Sequence, residues 1–413
     1  MKVFLYDFSI FLYTAVIRIA SLWNDKAMLW LKGRKNFPVF NDNKKSIWMH
    51  CASLGEFEQG RPVLEALKKE FPDYKLVLSF FSPSGYEIRK NYSGADQIIY
   101  LPSDTAGNAI KLIDSINPSL VIWVKYEYWF HYLSELKKRD VPVLLVSGIF
   151  RTSQPFFKWY GNFWKNILSC FSHLFVQNKQ SFDLLNSIAV NKNISISGDT
   201  RFDRVIDLAK SNDPISGITE FINNNPSLIA GSTWEDDEAG LIHYVRIHNN
   251  IKFIVAPHEV NAANLNDLKK EFNNSIFYSD WILQNEWTTE CNVLIIDNIG
   301  MLSKIYKYAT VTYVGGGFNS TGIHNILEAA VYGKPIVFGP EYEKFAEAND
   351  LIESGSAFSI NSAVELEKKL DLLFNDAELL KQAGEISRNY VYKKCGATKK
   401  IIDYVIENRL LTN

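Results

Sequence analysis

Short β-rich runs alternate with helical stretches twice along this chain, and this repeat is the feature that most limits its fold. Such alternation is typical of parallel sheets covered by helices on both faces. The first series of predicted strands is residues 47–50, 75–80, 97–100, 120–124, 143–146 and 173–176. The second series is residues 227–230, 252–256, 293–296, 311–314 and 335–338. The sequence therefore predicts an α/β protein with two Rossmann-like domains facing each other across a cleft.

The predicted boundary between the domains is a stretch of low hydrophobicity, residues 210–225, which is rich in Asn, Ser, Asp, Pro and Gly. We therefore predict an N-terminal domain at 46–210 and a C-terminal domain at 226–413. Residues 397–411 are apolar at helical spacing and are expected either to close the second domain or to cross back to the first. Neither half contains GxGxxG, which disfavours a nicotinamide dinucleotide site.

The N-terminal residues 1–45 differ from the rest in composition. Residues 1–23 are apolar and aromatic, but the longest uncharged run through their middle, 8–17, is shorter than the roughly 20 residues of a standard membrane span. The cations that follow are Lys26, Lys32, Arg34, Lys35, Lys44 and Lys45. This order fits a helix that lies in or dips into an anionic cytoplasmic leaflet. The alternative is a helix that packs on its own protein.

Charge and cysteine content exclude other classes. With 44 Lys and Arg against 46 Asp and Glu, the net charge of −2 provides no cationic excess for a nucleic-acid backbone. The four cysteines have no CxxC spacing, which argues against a disulfide framework or a zinc site. The acidic cluster 235–238 is predicted to be the first turn of a helix, so no metal and no cofactor are expected.

Residues 309–340 form the most specific local pattern in the sequence. A predicted strand at 311–314 ends in three glycines, 315–317, and a helix is expected from near His324 to residue 332. Glycine N–H groups and a helix N-terminus together suit a phosphate, and Glu328 could accept hydrogen bonds from ribose hydroxyls. The pattern indicates a nucleotide-sugar site that includes Gly316 and Gly317. The alternative is an ordinary strand-to-helix turn whose glycines serve packing.

Two acidic residues follow predicted strands of the first half. Glu56 is placed to act as a general base, although it could equally complement a helix dipole. Glu127 follows the strand at 120–124 together with Lys125, and Trp129 could stack on a sugar ring. The alternative is that Lys125 and Glu127 are ordinary loop charges and that Trp129 belongs to the core.

Further candidates carry weaker signals. The turn containing Ser82, Ser84 and Gly85 could hold an anion or could simply cap a helix. Arg201 could stabilise an anionic leaving group or could pair with a neighbouring Asp199 or Asp203. His258 ends a predicted strand and is either structural or functional, and residues 300–302 could lend backbone N–H groups to a nucleotide.

Five segments carry a family resemblance: ASLGE at 52–56, FFSPSGYE at 80–87, VKYEYW at 124–129, VSGIFR at 146–151 and GIHNILEAAVYGKP at 322–335. In this order they resemble the Kdo transferases, which attach 3-deoxy-D-manno-oct-2-ulosonic acid (Kdo) to the lipid A precursor in lipopolysaccharide synthesis. The resemblance implies a GT-B glycosyltransferase fold. It also implies that the acceptor binds the N-terminal domain and that the donor, CMP-Kdo, binds the C-terminal domain.

The resemblance also implies roles for individual residues. Glu56 matches the catalytic base, Glu127 matches a carboxylate that assists the transition state, and Arg201 stands where many members have Lys. The donor-binding residues that match are Pro257, His258, Gly300, Met301, Leu302, Asn325, Ile326, Leu327 and Glu328. For the acceptor we predict contacts from Ser53, Gly55, Ser82, Ser84, Gly85 and Lys125.

The implied reaction moves Kdo from CMP-Kdo to the lipid A precursor (lipid IVA) with inversion and without a metal. It would take place at the cytoplasmic face of the inner membrane, where the N-terminal segment associates with the membrane. Two other functions remain open. One is a sugar-nucleotide epimerase of similar two-domain architecture, and the other is a non-catalytic nucleotide-sugar-binding module.

Overall fold

The fold is taken from a computed structural model that describes residues 2–39, 44–188, 193–210, 214–284 and 290–412. Residues 1 and 40–43 of the predicted membrane-associated segment, and residues 211–213 of the predicted connection, lie outside the described residues. The chain forms two compact units, one of residues 1–204 with 395–413 and one of residues 205–394. Residues 205–225 therefore belong to the second unit, and the C-terminal tail belongs to the first.

Unit 1 contains a seven-stranded parallel sheet with strand order β3-β2-β1-β4-β5-β6-β7. Its strands are β1 (Ser46–Cys51), β2 (Lys75–Phe80), β3 (Gln97–Tyr100), β4 (Pro118–Val124), β5 (Val143–Gly148), β6 (His173–Val176) and β7 (Ile194–Ile196). The helices of this part of the chain are α1 (Lys2–Ala20), α2 (Asp25–Lys32), α3 (Leu54–Glu70), α4 (Pro83–Arg89), α5 (Ala106–Ile116), α6 (Phe130–Lys138), α7 (Asn162–Leu168), α8 (Lys179–Ser187) and α9 (Thr200–Lys210), with a 3₁₀ turn at Pro155–Phe157.

Both faces of this sheet are buried. Successive side chains of a strand point to opposite faces, so a central strand contributes to a core cluster on each face. In β1, Ile47 and Met49 join the core cluster that contains Phe57 of α3. Trp48 joins the cluster on the other face, with Trp123 of β4. The ends of β1 and β4, the two central neighbours, are thus held rigidly from both sides.

Unit 2 contains a second seven-stranded parallel sheet, with strand order β10-β11-β9-β8-β12-β13-β14. Its strands are β8 (Ser227–Thr233), β9 (Lys252–Pro257), β10 (Ser275–Phe277), β11 (Val293–Ile295), β12 (Val311–Val314), β13 (Ile336–Phe338) and β14 (Ala357–Ser359). Its helices are α10 (Ile218–Ile222), α11 (Glu235–Ile247), α12 (Ala262–Glu271), α13 (Tyr278–Ile282), α14 (Leu302–Ile305), α15 (Leu327–Ala330), α16 (Ala346–Glu353), α17 (Ala363–Asn375) and α18 (Ala377–Lys393), with a 3₁₀ turn at Tyr306–Tyr308.

The two parallel-sheet α/β domains predicted from the sequence are confirmed, and every predicted strand is present. The structure adds β7, β10 and β14, each three residues long and each at the edge of a sheet in the described chain. The predicted helix from near His324 to residue 332 is wrong in length, since α15 has four residues. Residues 322–325 are neither helix nor strand, and Gly322 has a left-handed φ of +83°. The helix-dipole argument for a phosphate at that point is therefore weakened.

The C-terminal tail takes the second of its two expected courses and returns to unit 1. Its helix, α19 (Ala397–Glu407), buries Ile401 and Val405 in the core cluster that contains Phe57. The Asp203 carboxylate accepts hydrogen bonds from the Gly396 and Thr398 N–H groups at the start of α19, at 2.5 and 2.6 Å.

The N-terminal helix α1 has two unlike faces. One faces the body of unit 1, where Tyr6 donates a hydrogen bond to Asp104 and Asp7 lies 2.6 Å from His131. The other exposes large apolar side chains, namely Phe4, Phe8, Phe11, Leu12, Val16 and Ile19. Residues 3–20 are long and apolar enough to cross a membrane by length and composition. One face of α1 therefore packs on its own protein, as the alternative interpretation predicts, and the other face has the apolar character expected of a membrane-associated helix.

Candidate active site

The first cluster of candidate residues lies at the carboxyl ends of β1 and β4 in unit 1. Glu56 lies in the first turn of α3, which follows β1, and its carboxylate accepts a hydrogen bond from the Ala52 N–H at 2.5 Å. The side chain is nearly buried, with 9% of the residue exposed. Burial raises the pKa of the Glu56 carboxyl to about 7, against the opposing effect of the Ala52 hydrogen bond. Glu127 raises this pKa further, and Lys125 lowers it.

A carboxyl with a pKa near 7 can take a proton at neutral pH and give it up again, which is what a general base requires. A helix-dipole role alone would not explain it, because an anion at a helix N-terminus is stabilised and keeps a low pKa. The environment of Glu56 thus favours the first of the two sequence interpretations.

Glu127 is held beside this group by aromatic side chains. Lys125 has a left-handed φ of +58°, so the chain turns sharply after β4 and the Glu127 carbonyl accepts a hydrogen bond from the Trp123 indole. The Trp129 indole N–H donates to the Glu127 carboxylate at 2.6 Å. Trp129 also packs, partly buried, against the core cluster that contains Trp48, and its stacking on a sugar ring stays a prediction.

His50 is a member of this cluster that sequence reasoning missed. It is fully buried on β1, and its Nε2 lies 3.5 Å from the Glu127 carboxylate. Its Nδ1 lies 2.8 Å from the Ser79 hydroxyl, which accepts a hydrogen bond from the Trp48 indole at 2.8 Å. Because the indole can only donate, the Ser79 oxygen accepts that bond, and the Ser79 hydroxyl also lies 3.4 Å from the Met49 carbonyl, so the His50–Ser79 hydrogen bond can run in either direction.

The predicted acceptor residues lie at neighbouring strand ends. Ser53 is the N-cap residue of α3 without a side-chain capping bond, and a side chain at Gly55 would meet open space. Ser82 caps α4 by accepting a hydrogen bond from the Ser84 N–H at 3.3 Å. Gly85 packs tightly, since an added Cβ would lie 2.2 Å from the Phe80 ring. The capping interpretation therefore accounts for the Ser82 turn, and anion binding there stays a prediction.

Arg201, at the start of α9, is bound by a neighbouring carboxylate. Its guanidinium lies 2.7 and 2.8 Å from Asp199 Oδ2, so the ion pair considered from the sequence forms with Asp199. Asp203 instead binds the start of α19. Thr200 donates a hydrogen bond to the Gln59 carbonyl of α3 at 2.5 Å, which ties the segment to the helix that carries Glu56.

The second cluster is the glycine loop after β12 in unit 2. The Gly315 N–H donates to the Gly231 carbonyl at 2.9 Å, and the Gly316 N–H donates to Asp237 at 2.8 Å. An added Cβ at Gly317 would lie 2.7 Å from the backbone of Gly339. Close packing thus requires glycine here, and two of the N–H groups are already paired within the protein.

Asp237 organises this loop. Besides Gly316, its carboxylate accepts hydrogen bonds from the Tyr313 hydroxyl at 2.6 Å and from the Trp234 N–H at 3.0 Å. Burial raises the pKa of Asp237, while these three hydrogen bonds lower it. The acidic cluster 235–238 opens α11 as predicted, and Asp237, through Gly316, also connects that helix to β12.

Three aromatic rings stack beside the loop. The His258 ring stacks with both Trp234 and His324, with centroid distances of 4.5 and 4.4 Å. The Trp234 indole donates to His324 Nε2 at 3.1 Å, so this nitrogen must be unprotonated. Burial lowers the pKa of His258, and it lowers the pKa of His324 to about 4. Both rings are therefore neutral at physiological pH.

The remaining predicted donor residues differ in what they can offer. Met301 is the N-cap residue of α14, and Gly300 has a left-handed φ of +96° with open space beside it. Asn325 donates to the Glu328 carboxylate at 3.1 Å. Leu302 is partly buried, whereas Ile326 and Leu327 are core residues, so a ligand could reach these two only through their backbone. Pro257 ends β9 opposite Thr233.

Within the described residues, no group of three or more His, Cys, Asp or Glu is arranged to hold a metal ion. The residues that sequence reasoning missed are His50, Trp234, Asp237 and His324. Each lies inside a strand, a helix turn or a motif already quoted, but only its contacts distinguish it from its neighbours.

Sequence comparisons with known proteins find relatives that are named as glycosyltransferases. A family model described as 3-deoxy-D-manno-octulosonic-acid transferase (kdotransferase) matches residues 30–204. A bifunctional glycosyltransferase/methyltransferase of Fusobacterium nucleatum is 27% identical, covering 82% of this chain. The chain spans about half of that relative, 54% of its length. A 3-deoxy-D-manno-octulosonic acid transferase of Aquifex aeolicus is 24% identical over 85% of this chain and 93% of its own, and one of Haemophilus influenzae is 24% identical over 87% and 86%.

Solved structures agree on the fold. UDP-GlcNAc 2-epimerase of Neisseria meningitidis superposes with a TM-score of 0.62 at 14% identity, covering 88% of this chain and all of that chain. MurG of Acinetobacter baumannii superposes with a TM-score of 0.54 at 12% identity, covering 88% and 99%.

The fold and the sequence relatives together define a glycosyltransferase of the two-domain GT-B class. Within that class, the chain is similar to the Kdo transferases, whose family model matches residues 30–204 and whose named relatives align over most of the chain.

Proposed function

We propose that this protein transfers Kdo from CMP-Kdo to the lipid A precursor, lipid IVA, with Glu56 as general base. The observation that carries the proposal is the buried Glu56 carboxyl, whose pKa of about 7 suits proton abstraction at the end of a rigid strand. The family match supplies the substrate class, since the relatives are named for transfer of 3-deoxy-D-manno-octulosonic acid.

In the proposed reaction, Glu56 takes the proton of an acceptor hydroxyl as that oxygen forms a bond to the anomeric carbon of Kdo. The bond between that carbon and the phosphate oxygen breaks, and CMP leaves with the electron pair. Attack from the face opposite CMP inverts the anomeric configuration. Glu127, oriented by Trp129 and His50, stabilises the positive charge that develops on the sugar.

The proposed donor site is the glycine loop of unit 2 with its stacked rings. Because His258 and His324 are neutral, they offer flat surfaces and single N–H donors rather than positive charge to the nucleotide. Arg201 is proposed to stabilise the leaving phosphate, for which its contact with Asp199 would have to loosen. No metal ion or cofactor takes part in the proposed step.

The proposed location is the cytoplasmic face of the inner membrane, reached through α1. The apolar outer face of that helix supports membrane association. The basic stretch contributes less than predicted, because Arg34 is turned inward: its guanidinium stacks 3.8 Å from the Trp30 ring and donates to the Leu101 and Phe81 carbonyls.

The test is direct. Purified protein, CMP-Kdo and a tetraacylated disaccharide acceptor should yield an acceptor heavier by one or more Kdo units in mass spectrometry, with turnover retained in a chelator. NMR of the product should show the inverted anomeric centre. Absence of product with folded protein rejects the proposal, and activity that is lost on chelation and restored by a divalent ion rejects the metal-free step.

An epimerase remains the second candidate because two-domain epimerases share the fold. That similarity is one of fold alone, whereas the sequence relatives are named as transferases. Incubation with UDP-GlcNAc should give no epimer. A binding module without catalysis would show no turnover in the wild type, so Glu56→Ala would leave turnover unchanged.

A further inference from the structure

An open apolar groove lies along α1 in unit 1. Five residues of that helix, between Leu5 and Tyr13, form one wall, and the facing wall includes Phe81, Trp129 and Trp164. The groove has a volume of about 680 Å³. This size is in the range of ligand-binding clefts, and the lining is apolar or aromatic apart from Ser9.

The groove is continuous with the candidate active site. Trp129 forms part of its wall, and the indole N–H of the same side chain donates to the Glu127 carboxylate at 2.6 Å. Phe81 packs on Trp129 with a centroid distance of 4.7 Å and lies directly after β2. A molecule in the groove would therefore lie one side chain away from the carboxylates at the strand ends.

The same helix links the groove to a lipid environment. While one face of α1 lines the groove, the opposite face exposes Phe4, Phe8 and Ile19. Residues 3–20 are long and apolar enough to cross a membrane by length and composition, so in the proposed membrane-associated protein the groove would open where hydrocarbon chains are available. An occupant would bury apolar surface against aromatic rings, which favours a hydrocarbon over a polar ligand.

We propose that this groove holds a hydrocarbon chain of the acceptor lipid, so that the enzyme recognises its acceptor by an acyl chain as well as by its sugar. The proposal rests on the proposed function, because the acceptor must be a lipid. An acyl chain in the groove would anchor the acceptor with its sugar hydroxyl next to Glu127 and Glu56. The contacts with the acceptor would then continue from the membrane surface, along the groove wall, to the catalytic base.

The closing experiment uses the full chain in detergent micelles, CMP-Kdo as donor and two acceptors: the tetraacylated disaccharide and its fully deacylated counterpart. Ile10→Trp fills the groove, and Ile19→Trp places the same side chain on the exposed face of α1. We expect Ile10→Trp to raise KM for the acylated acceptor roughly tenfold, equivalent to about two buried methylene groups. KM for the deacylated acceptor should not change, and Ile19→Trp should change neither.

A second matched pair guards against misfolding of a filled groove. Leu5→Lys places a charge in the groove wall, while Leu12→Lys places it on a part of α1 that does not line the groove, and both positions are exposed. Quenching of tryptophan fluorescence by a brominated acyl chain should be lost in Leu5→Lys and kept in Leu12→Lys. Equal effects of both members of either pair, or equal KM values of the wild type for the two acceptors, overturn the groove proposal.

Failure of the proposed function gives a different result. The wild type would then transfer Kdo to neither acceptor, although the quenching comparison would still report whether the groove binds a hydrocarbon chain.

Discussion

The buried carboxyls at the ends of the two sheets, Glu56 and Asp237, have different surroundings. At the strand ends of unit 1, Glu56 and Glu127 lie together in a buried setting, and the pKa of Glu56 rises to about 7. At the strand ends of unit 2, the Asp237 carboxylate is occupied by three hydrogen bonds from the protein, and the neighbouring His258 and His324 are neutral.

The two sites differ in whether a buried carboxyl remains available to exchange a proton. In unit 1 the burial of a carboxyl with few donors leaves a group that exchanges a proton near neutral pH. In unit 2 a similar burial is satisfied by Tyr313, Gly316 and Trp234, so the carboxylate shapes a loop rather than reacting. The comparison predicts chemistry at the first site and binding at the second.

The largest effect is expected from Glu56→Gln. The amide can still accept the Ala52 hydrogen bond, so the fold should survive while kcat falls about 10²–10⁴-fold through loss of the base. Glu58→Gln is the matched control on the same helix, because Glu58 pairs with Arg89 at 2.7 Å and should leave kcat nearly unchanged. Similar kcat values for the two variants would remove Glu56 from catalysis.

Asp237→Ala is expected to act on binding. It leaves the buried Gly316 N–H without its acceptor, and we expect KM for the donor to rise about 10–100-fold with a smaller change in kcat. Asp237→Asn should be milder, because the Tyr313 hydroxyl can rotate to accept from the amide. Asp236→Ala, at an exposed neighbour, is the control. A fall in kcat alone would contradict the division between the two sites.

The two sites should also differ in pH dependence. Because Glu56 acts when deprotonated, kcat should rise with pH through a midpoint near pH 7 and level off about one pH unit above it. KM for the donor should stay flat between about pH 7 and pH 8, since burial lowers the pKa of His324 to about 4 and also lowers that of His258 from its ordinary value. Donor binding that tightens as pH falls through this range would indicate a protonated histidine at the phosphate.

The smallest effect tests the coupling within unit 1. Glu127 raises the pKa of Glu56, so Glu127→Gln should shift the midpoint of the kcat profile to lower pH. The profile of the wild type measured in the same buffers is the reference. A shift to higher pH would mean that the two carboxylates do not interact as described.

Much of the architecture could be predicted from local pattern. Each buried central strand is a run of apolar residues bounded by turn residues, and all of these strands were found. The three strands that were not predicted, β7, β10 and β14, are short edge strands, which carry little apolar signal because only one neighbour pairs with them. The helix near His324 was overestimated because helical spacing in the sequence does not show that residues 322–325 form an irregular loop with a left-handed Gly322.

The candidate site was predictable in part. The positions of Glu56, Glu127 and the glycine loop follow from strand ends and from the family motifs. His50 could not be distinguished from its strand neighbours, and Arg201 and Asp203 could not be assigned their partners, because a sequence does not show which side chains meet. In the structure, Asp203 binds the start of α19, whereas Arg201 binds Asp199.

The sequence by itself determined the two parallel α/β units, the apolar N-terminal helix and the resemblance to the Kdo transferases, since these depend on the order of residues along the chain. Only the tertiary structure decided which charges remain reactive and where the tail belongs. Asp237 binds Gly316 across 79 residues, and Asp203 binds Gly396 across 193 residues. Desolvation and hydrogen bonding set the state of each group, and both depend on neighbours that folding brings together from distant parts of the chain.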